Sequence, residues 1–144
     1  MFFVAKSQAG ASAFPIWSNR HLPPLTGGTW TYFGLATQRL QLFQNNSSVP
    51  ALAGTVALGD SPHLLEVAVG ASGRQLVVDG VIDSVDTVGV ATATGLPGGA
   101  LAHDKPNNAF GNFDLFELVM YDRDLSLPER ATVRSALKTK WALP

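Results

Sequence analysis

Cysteine is absent from the 144 residues, which removes a disulfide framework, thiol catalysis and Cys-ligated zinc together. Charge is scarce as well: Asp, Glu, Lys and Arg make up 15% of the chain. Amphipathic helices normally clothe themselves in charge, so this scarcity argues against a bundle or coiled coil. Long apolar runs are missing too, and none approaches the ~18 residues of a membrane span. The opening Met1–Lys6 lacks the basic start and long apolar core of a signal peptide. No Asp or Glu occurs before Asp60, so the first part of the chain carries only Lys6, Arg20 and Arg39. That basic stretch is too sparse for a phosphate-binding surface, and nucleic acid is not an expected partner.

What is present is apolar and turn-rich. Hydrophobic residues make up 46%, with 14 Gly and 9 Pro, a composition of strands and turns that fits one domain. The net charge of −1 conceals segregation. Residues 60–126 are strongly acidic, and the tail from Leu127 sets Arg130, Arg134, Lys138 and Lys140 against Glu129 alone.

Short strands are expected at Phe2–Lys6, Phe14–Ser18, Thr29–Leu35, Leu40–Gln44 and, more weakly, Thr55–Leu58. The middle reads most clearly. His63–Val69 and Arg74–Val78 flank a Gly-containing loop, as in an antiparallel hairpin, and Asp79-Gly80 turns the chain into Val81-Ile82. Val85–Thr94 reads as extended and Gly95–Asn112 as a long loop. Phe113–Tyr121 is apolar at both parities, which places it centrally in a sheet with something packed outside. A helix follows. Ser126 and Glu129 have capping-box spacing, Pro128 suits the first turn, and Val133, Ala136, Leu137 and Trp141 form the apolar stripe.

Two segments carry a family resemblance. The first runs His63-Leu-Leu-Glu-Val-Ala-Val69 and returns as Arg74-Gln-Leu-Val-Val-Asp-Gly80. The second is Phe110–Arg130, with its Glu, a Tyr121-Asp-Arg-Asp-Leu-Ser126 stretch and a Glu-Arg helix start. Together with Leu137–Trp141 they resemble laminin-G-like, concanavalin A-like jelly-roll domains of the bacterial and phage type, over roughly residues 63–141. The resemblance implies an all-β antiparallel sandwich with one short C-terminal helix. It also implies binding of glycans or proteins, often with Ca²⁺ at the sandwich edge. Such domains usually have strands before the one matching Phe2–Lys6. Their lack here predicts an open N-terminal edge covered by another copy or a neighbouring chain.

Candidate sites are few. Retaining glycosidases need two carboxylates about 5–5.5 Å apart, and Glu66, Glu117 and Glu129 form no such cluster; Glu129 is explained as a cap and Glu117 as a structural acid. No Gly-x-Ser-x-Gly elbow, His-x-x-His pair or phosphate loop occurs. The chain therefore reads as non-catalytic. Asp104, Asn112 and Asp114 are the candidate Ca²⁺ ligands, with Asp79, Asp83 and Asp86 a second acidic set and turn formation the competing explanation. Trp17, Trp30 and Tyr32, with Asn107 and Asn108, are the candidate sugar-binding residues, against core packing. The expected function is a structural module of a phage virion (tail, fibre or head decoration) acting by protein–protein assembly. The alternative is a carbohydrate-binding module, and the expected location is a virion or an extracellular surface.

Overall fold

β1 (Phe2–Ser7) is the axis of the fold: Phe2, Phe3, Val4 and Ala5 are all buried. A strand apolar at both parities needs cover on both faces, and both covers are present. The computed structural model describes residues 1–7, 14–18, 31–36, 38–44, 52–70, 73–87, 100–101, 103–104, 109–110 and 113–144. Within them lie β2 (Phe14–Ser18), β3 (Thr31–Ala36), β4 (Arg39–Gln44), β5 (Leu52–Ala53), β6 (His63–Gly70), β7 (Gly73–Val78) and β8 (Val81–Asp86). Then come β9 (Ala100–Leu101), β10 (His103–Asp104), β11 (Ala109–Phe110), β12 (Phe113–Val119) and α1 (Leu127–Trp141).

The strands form two five-stranded antiparallel sheets, β12-β1-β6-β7-β8 and β5-β4-β3-β2-β9, plus a small β10-β11 ribbon. Phe3, Ala5, Leu65, Val67, Leu76 and Val78 from the first sheet share one core with Ile16, Leu40, Leu42 and Leu52 from the second. Among the described residues the fold is therefore all-β and sandwich-like, with a single helix. That helix covers the outer face of the first sheet, where Phe2, Val4 and Leu64 pack against Leu137, Val133 and Trp141. Ala136, expected in the same stripe, is exposed.

Local chemistry explains both ends of α1. The Ser126 hydroxyl accepts from the Glu129 amide while the Glu129 carboxylate accepts from the Ser126 amide at 2.8 Å, a reciprocal capping box. At the other end Ala142 takes a left-handed conformation, φ 51°, and the Leu143 amide reaches the Lys138 carbonyl at 3.0 Å. The His63–Val78 hairpin and the Asp79-Gly80 turn form as expected, and both turn residues have positive φ, 51° and 88°. That combination matches the twist of the strands that it joins.

Several expectations are corrected. β1 is not an open edge: it pairs with β12 on one side and β6 on the other. Conversely β12 is not central but ends its sheet among the described residues. Its apolarity at both parities comes from a bulge. Val4 lies opposite Glu117 and Ala5 opposite Leu115, which leaves Phe116 unopposed and reverses the facing beyond it. Phe113, Leu115 and Leu118 thus pack on the inter-sheet core, and Val119 on the helix side. Thr55–Leu58 is not a strand; the pairing residues are Leu52 and Ala53. Inside the expected loop Gly95–Asn112 lie the short strands β9, β10 and β11, and residues 88–94 fall outside the described set.

Candidate interaction surface

β8 ends the first sheet among the described residues, opposite β12. The Asp79-Gly80 turn launches it, and that turn is tied down from three directions. His63 donates through Nδ1 to the Asp79 carboxylate at 2.7 Å, the Leu64 amide donates to the same carboxylate at 2.9 Å, and Lys138 reaches the Asp79 carbonyl at 3.4 Å. His63 Nε2 and Ser7 Oγ are buried without a hydrogen-bond partner. A general base needs its free nitrogen open to substrate. His63, with that nitrogen shielded from solvent, acts as a lock on the turn.

A second bulge sits within β8. Leu76 pairs with Ser84 but Val77 pairs with Ile82, so Asp83 is the extra residue. Its carboxylate gathers three donors from the segment after β5: the Thr55 amide and hydroxyl, each at 2.8 Å, and the Val56 amide at 3.0 Å. A Cβ added at Gly54 would lie 2.1 Å from the other Asp83 oxygen, so glycine is required for this approach. Asp83 thereby clasps the margin of one sheet to that of the other. Asp86, at the end of β8, is gripped by buried Arg74, whose Nε lies 3.0 and 3.1 Å from the two carboxylate oxygens.

With its acids engaged, β8 presents apolar side chains to solvent: Val81 is 69% exposed, Ile82 58% and Val85 59%. β12 differs. Phe116 packs on Trp141 with ring centroids 5.5 Å apart, Tyr121 meets Phe2 edge-on at 6.2 Å, and Asp114 and the Glu117–Lys140 pair add charge. Glu117 accepts from Lys140 at 2.9 Å and from Trp141 Nε1 at 2.5 Å, and these two hydrogen bonds hold its pKa below the usual carboxylate range.

No family model, no curated protein and no solved structure matches the chain.

The third glutamate, Glu66, is 1% exposed on β6 beneath α1. Arg130 donates to one of its oxygens and Arg134 to the other at 2.7 Å, while Arg130 also reaches Gln75. All three glutamates thus have structural partners: Glu66 under the helix, Glu117 at its C-terminal end and Glu129 at its cap. Arginines one helical turn apart, i and i+4, were the available sequence signal for a buried acid beneath α1.

Of the candidate site residues, Trp17, Tyr32, Asp104 and Asp114 lie within the described set, and β10, which carries Asp104, lies against β2, which carries Trp17. Trp17 lies opposite Phe33 and Tyr32 opposite Ser18, so these two aromatics occupy register positions of opposite parity rather than one row. Trp30, Asn107, Asn108 and Asn112 lie outside the described residues, and Asp104 is in β10 opposite Ala109. Asp114 is exposed on β12, opposite Lys6. Asp79, Asp83 and Asp86 do not act as one set, since each has different protein partners. Sequence periodicity carries no sign of the exposed Val81, Ile82 and Val85 on β8. Its Val and Ile read as ordinary strand formers, and periodicity alone does not say which strand ends a sheet.

Proposed function

We propose that this chain is a non-catalytic assembly module, a structural component of a virion-type particle, whose protein–protein contacts run through the β8 margin. The observation carrying this reading is the exposed row Val81, Ile82 and Val85 on a strand with no described outer neighbour. Proteins normally guard such a margin with Lys, Pro, bulges or inward-pointing charge; β8, Val-Ile-Asp-Ser-Val-Asp, has no Lys or Pro, and its bulge and Asp83 carboxylate engage Thr55 and Val56 while Val81, Ile82 and Val85 stay uncovered. Support for the non-catalytic part comes from the glutamates, each held by cationic or capping partners rather than paired across a cleft. The resemblance of the closing segment to bacterial and phage domains supports a virion as the setting.

The test is to express the tagged chain in its own host and size the gently released material by chromatography with light scattering, with Ca²⁺ and with EDTA. The expected result is a particle well above monomer mass, unchanged by Ca²⁺ and lost in the folded double variant Ile82→Lys/Val85→Lys. Monomer-sized material alone would overturn the reading. So would glycan binding that a folded Trp30→Ala variant abolishes, which would make the chain a carbohydrate-binding module.

A further inference from the structure

The turn that launches β8 is built on a labile sequence. Asp79-Gly80 is the single Asp-Gly step of the chain, and no Asn-Gly step occurs. Glycine is required at the second position, where φ is +88° and a side chain would be strained. The same missing Cβ leaves the Gly80 amide nitrogen unhindered for attack on the side chain before it. Every other Asp is followed by a residue that carries a Cβ.

We propose that Asp79 is a site of spontaneous backbone modification, conversion to isoaspartate, and that His63 is the positioning residue that holds it off. The Gly80 nitrogen bonds to Asp79 Cγ, the N–H proton and the carboxyl OH leave together as water, and a succinimide ring closes. Water then reopens the ring at either carbonyl. Opening at the α-carbonyl leaves the main chain running through Cβ and Cγ, one carbon longer than before. Nothing is oxidised or reduced, and water is the sole co-reactant; Gly80 is exposed to it.

The folded chain opposes the first step. Both Asp79 oxygens are tied to β6, one accepting from His63 Nδ1 at 2.7 Å and the other from the Leu64 amide at 2.9 Å. The Asp79 amide donates back to the Leu64 carbonyl at 2.8 Å. Swinging Cγ onto the Gly80 nitrogen breaks both side-chain bonds, and Lys138, 3.4 Å from the Asp79 carbonyl, resists the peptide rotation that goes with it. Conversion therefore waits on local opening of the turn, and its rate follows the population of the open state. Once made, the extra carbon does not fit a two-residue turn, so the Val78–Val81 pair that closes it is lost, and with it the start of β8. None of this depends on what the β8 margin contacts.

The test keeps the purified chain warm at neutral pH, in buffer and in denaturing guanidinium chloride, and follows isoaspartate by electron-transfer mass spectrometry. In denaturant it should accumulate at residue 79 faster than at any other Asp. In buffer it should form there at least about tenfold more slowly, as the loss of hydrogen bonds to a carboxylate dictates. His63→Phe keeps a ring and removes the donor; with near-UV circular dichroism unchanged, it should convert about tenfold faster than wild type. His63→Asn, whose amide nitrogen stands close to the place of Nδ1, should stay near the wild-type rate. Wild type that converts as fast folded as unfolded overturns the guard, and absence of conversion in denaturant overturns the site. A folded His63→Phe as slow as wild type removes His63 from the role. The comparison in and out of denaturant uses wild type alone, so it decides the matter even where His63→Phe does not fold.

Discussion

Replacing Glu66 by Gln is the sharpest test of what holds α1 to the sandwich. Glu66 is 1% exposed and its two oxygens take Arg130 and Arg134. The two guanidiniums are themselves largely covered, with side chains 12% and 20% exposed. Glutamine keeps the shape but removes the negative charge, leaving two partly desolvated cations facing one amide. Removing one partner of a buried ion pair costs about 3–5 kcal/mol. The residual exposure of Arg134 lets water reach it, so the lower end, about 3 kcal/mol, is expected. For a domain of this size that corresponds to a fall in Tm of about 10 °C.

The assay is urea unfolding at pH 7 followed by tryptophan fluorescence, with Glu66→Gln compared with Arg134→Met and the pair. Arg134→Met should cost less than Glu66→Gln, because Arg130 still neutralises the carboxylate. Replacing all three charged residues by Met should recover much of the loss, since apolar substitutes of similar volume remove the desolvation cost together with the attraction. A Glu66→Gln midpoint within about 0.5 kcal/mol of wild type would refute the argument. It would mean that the helix is held by Leu137, Val133 and Trp141 alone.

Two further perturbations probe the rest of the scaffold. Gly54→Ala places a Cβ 2.1 Å from the Asp83 carboxylate and 2.8 Å from the Leu40 carbonyl; overpacking of this kind costs about 2 kcal/mol, read as a lower Tm, and an unchanged Tm would count against the Asp83 clasp. Acid should loosen the helix cap: the Arg123 hydrogen bond, followed by the Ser126 amide and hydroxyl, lowers the Glu129 pKa from 4.5 to about 2. A folded-state pKa below the unfolded one gives stability that is complete above pH 4.5 and lost as pH falls toward 2. Wild type should therefore lose more stability between pH 5 and 2 than Glu129→Gln does, by urea midpoint at each pH, and parallel curves would refute the assignment.

Local signals in the chain were legible because their causes are local. The capping box at Ser126 and Glu129, the Asp79-Gly80 turn and the His63–Val78 hairpin depend on residues within a few positions of one another, and each is where spacing placed it. Neighbour order within a sheet is different, because it is set by contacts between residues far apart in the chain. The apolar count of Phe113–Tyr121 points to a central place, yet one bulge residue, Phe116, accounts for that pattern on a strand that ends the sheet among the described residues. The same mechanism hid the β8 row: Ile82 and Val85 share a face only because Asp83 is inserted between them. Parity arguments assume an unbroken period of two, and a bulge breaks it without leaving a mark in composition.

The segregated charge also takes on a different meaning in three dimensions. An acidic middle and a basic tail could have steered one copy toward another. Instead the tail folds back onto the acidic strands of its own chain. Arg130 and Arg134 bind Glu66, Lys140 binds Glu117, and Lys138 reaches the Asp79 carbonyl. All four cations of the tail are thus used within the molecule, and long-range attraction between copies is correspondingly weak. The acids of β8 are also held within the molecule, Asp86 by Arg74 and one Asp83 oxygen by Thr55 and Val56, while the other Asp83 oxygen is buried without a hydrogen-bond partner. A strand whose acids are turned onto their own chain can discriminate by shape and apolar contact. Association through Ile82 and Val85 should accordingly vary little with ionic strength, whereas association steered by unpaired charge would weaken as salt is raised.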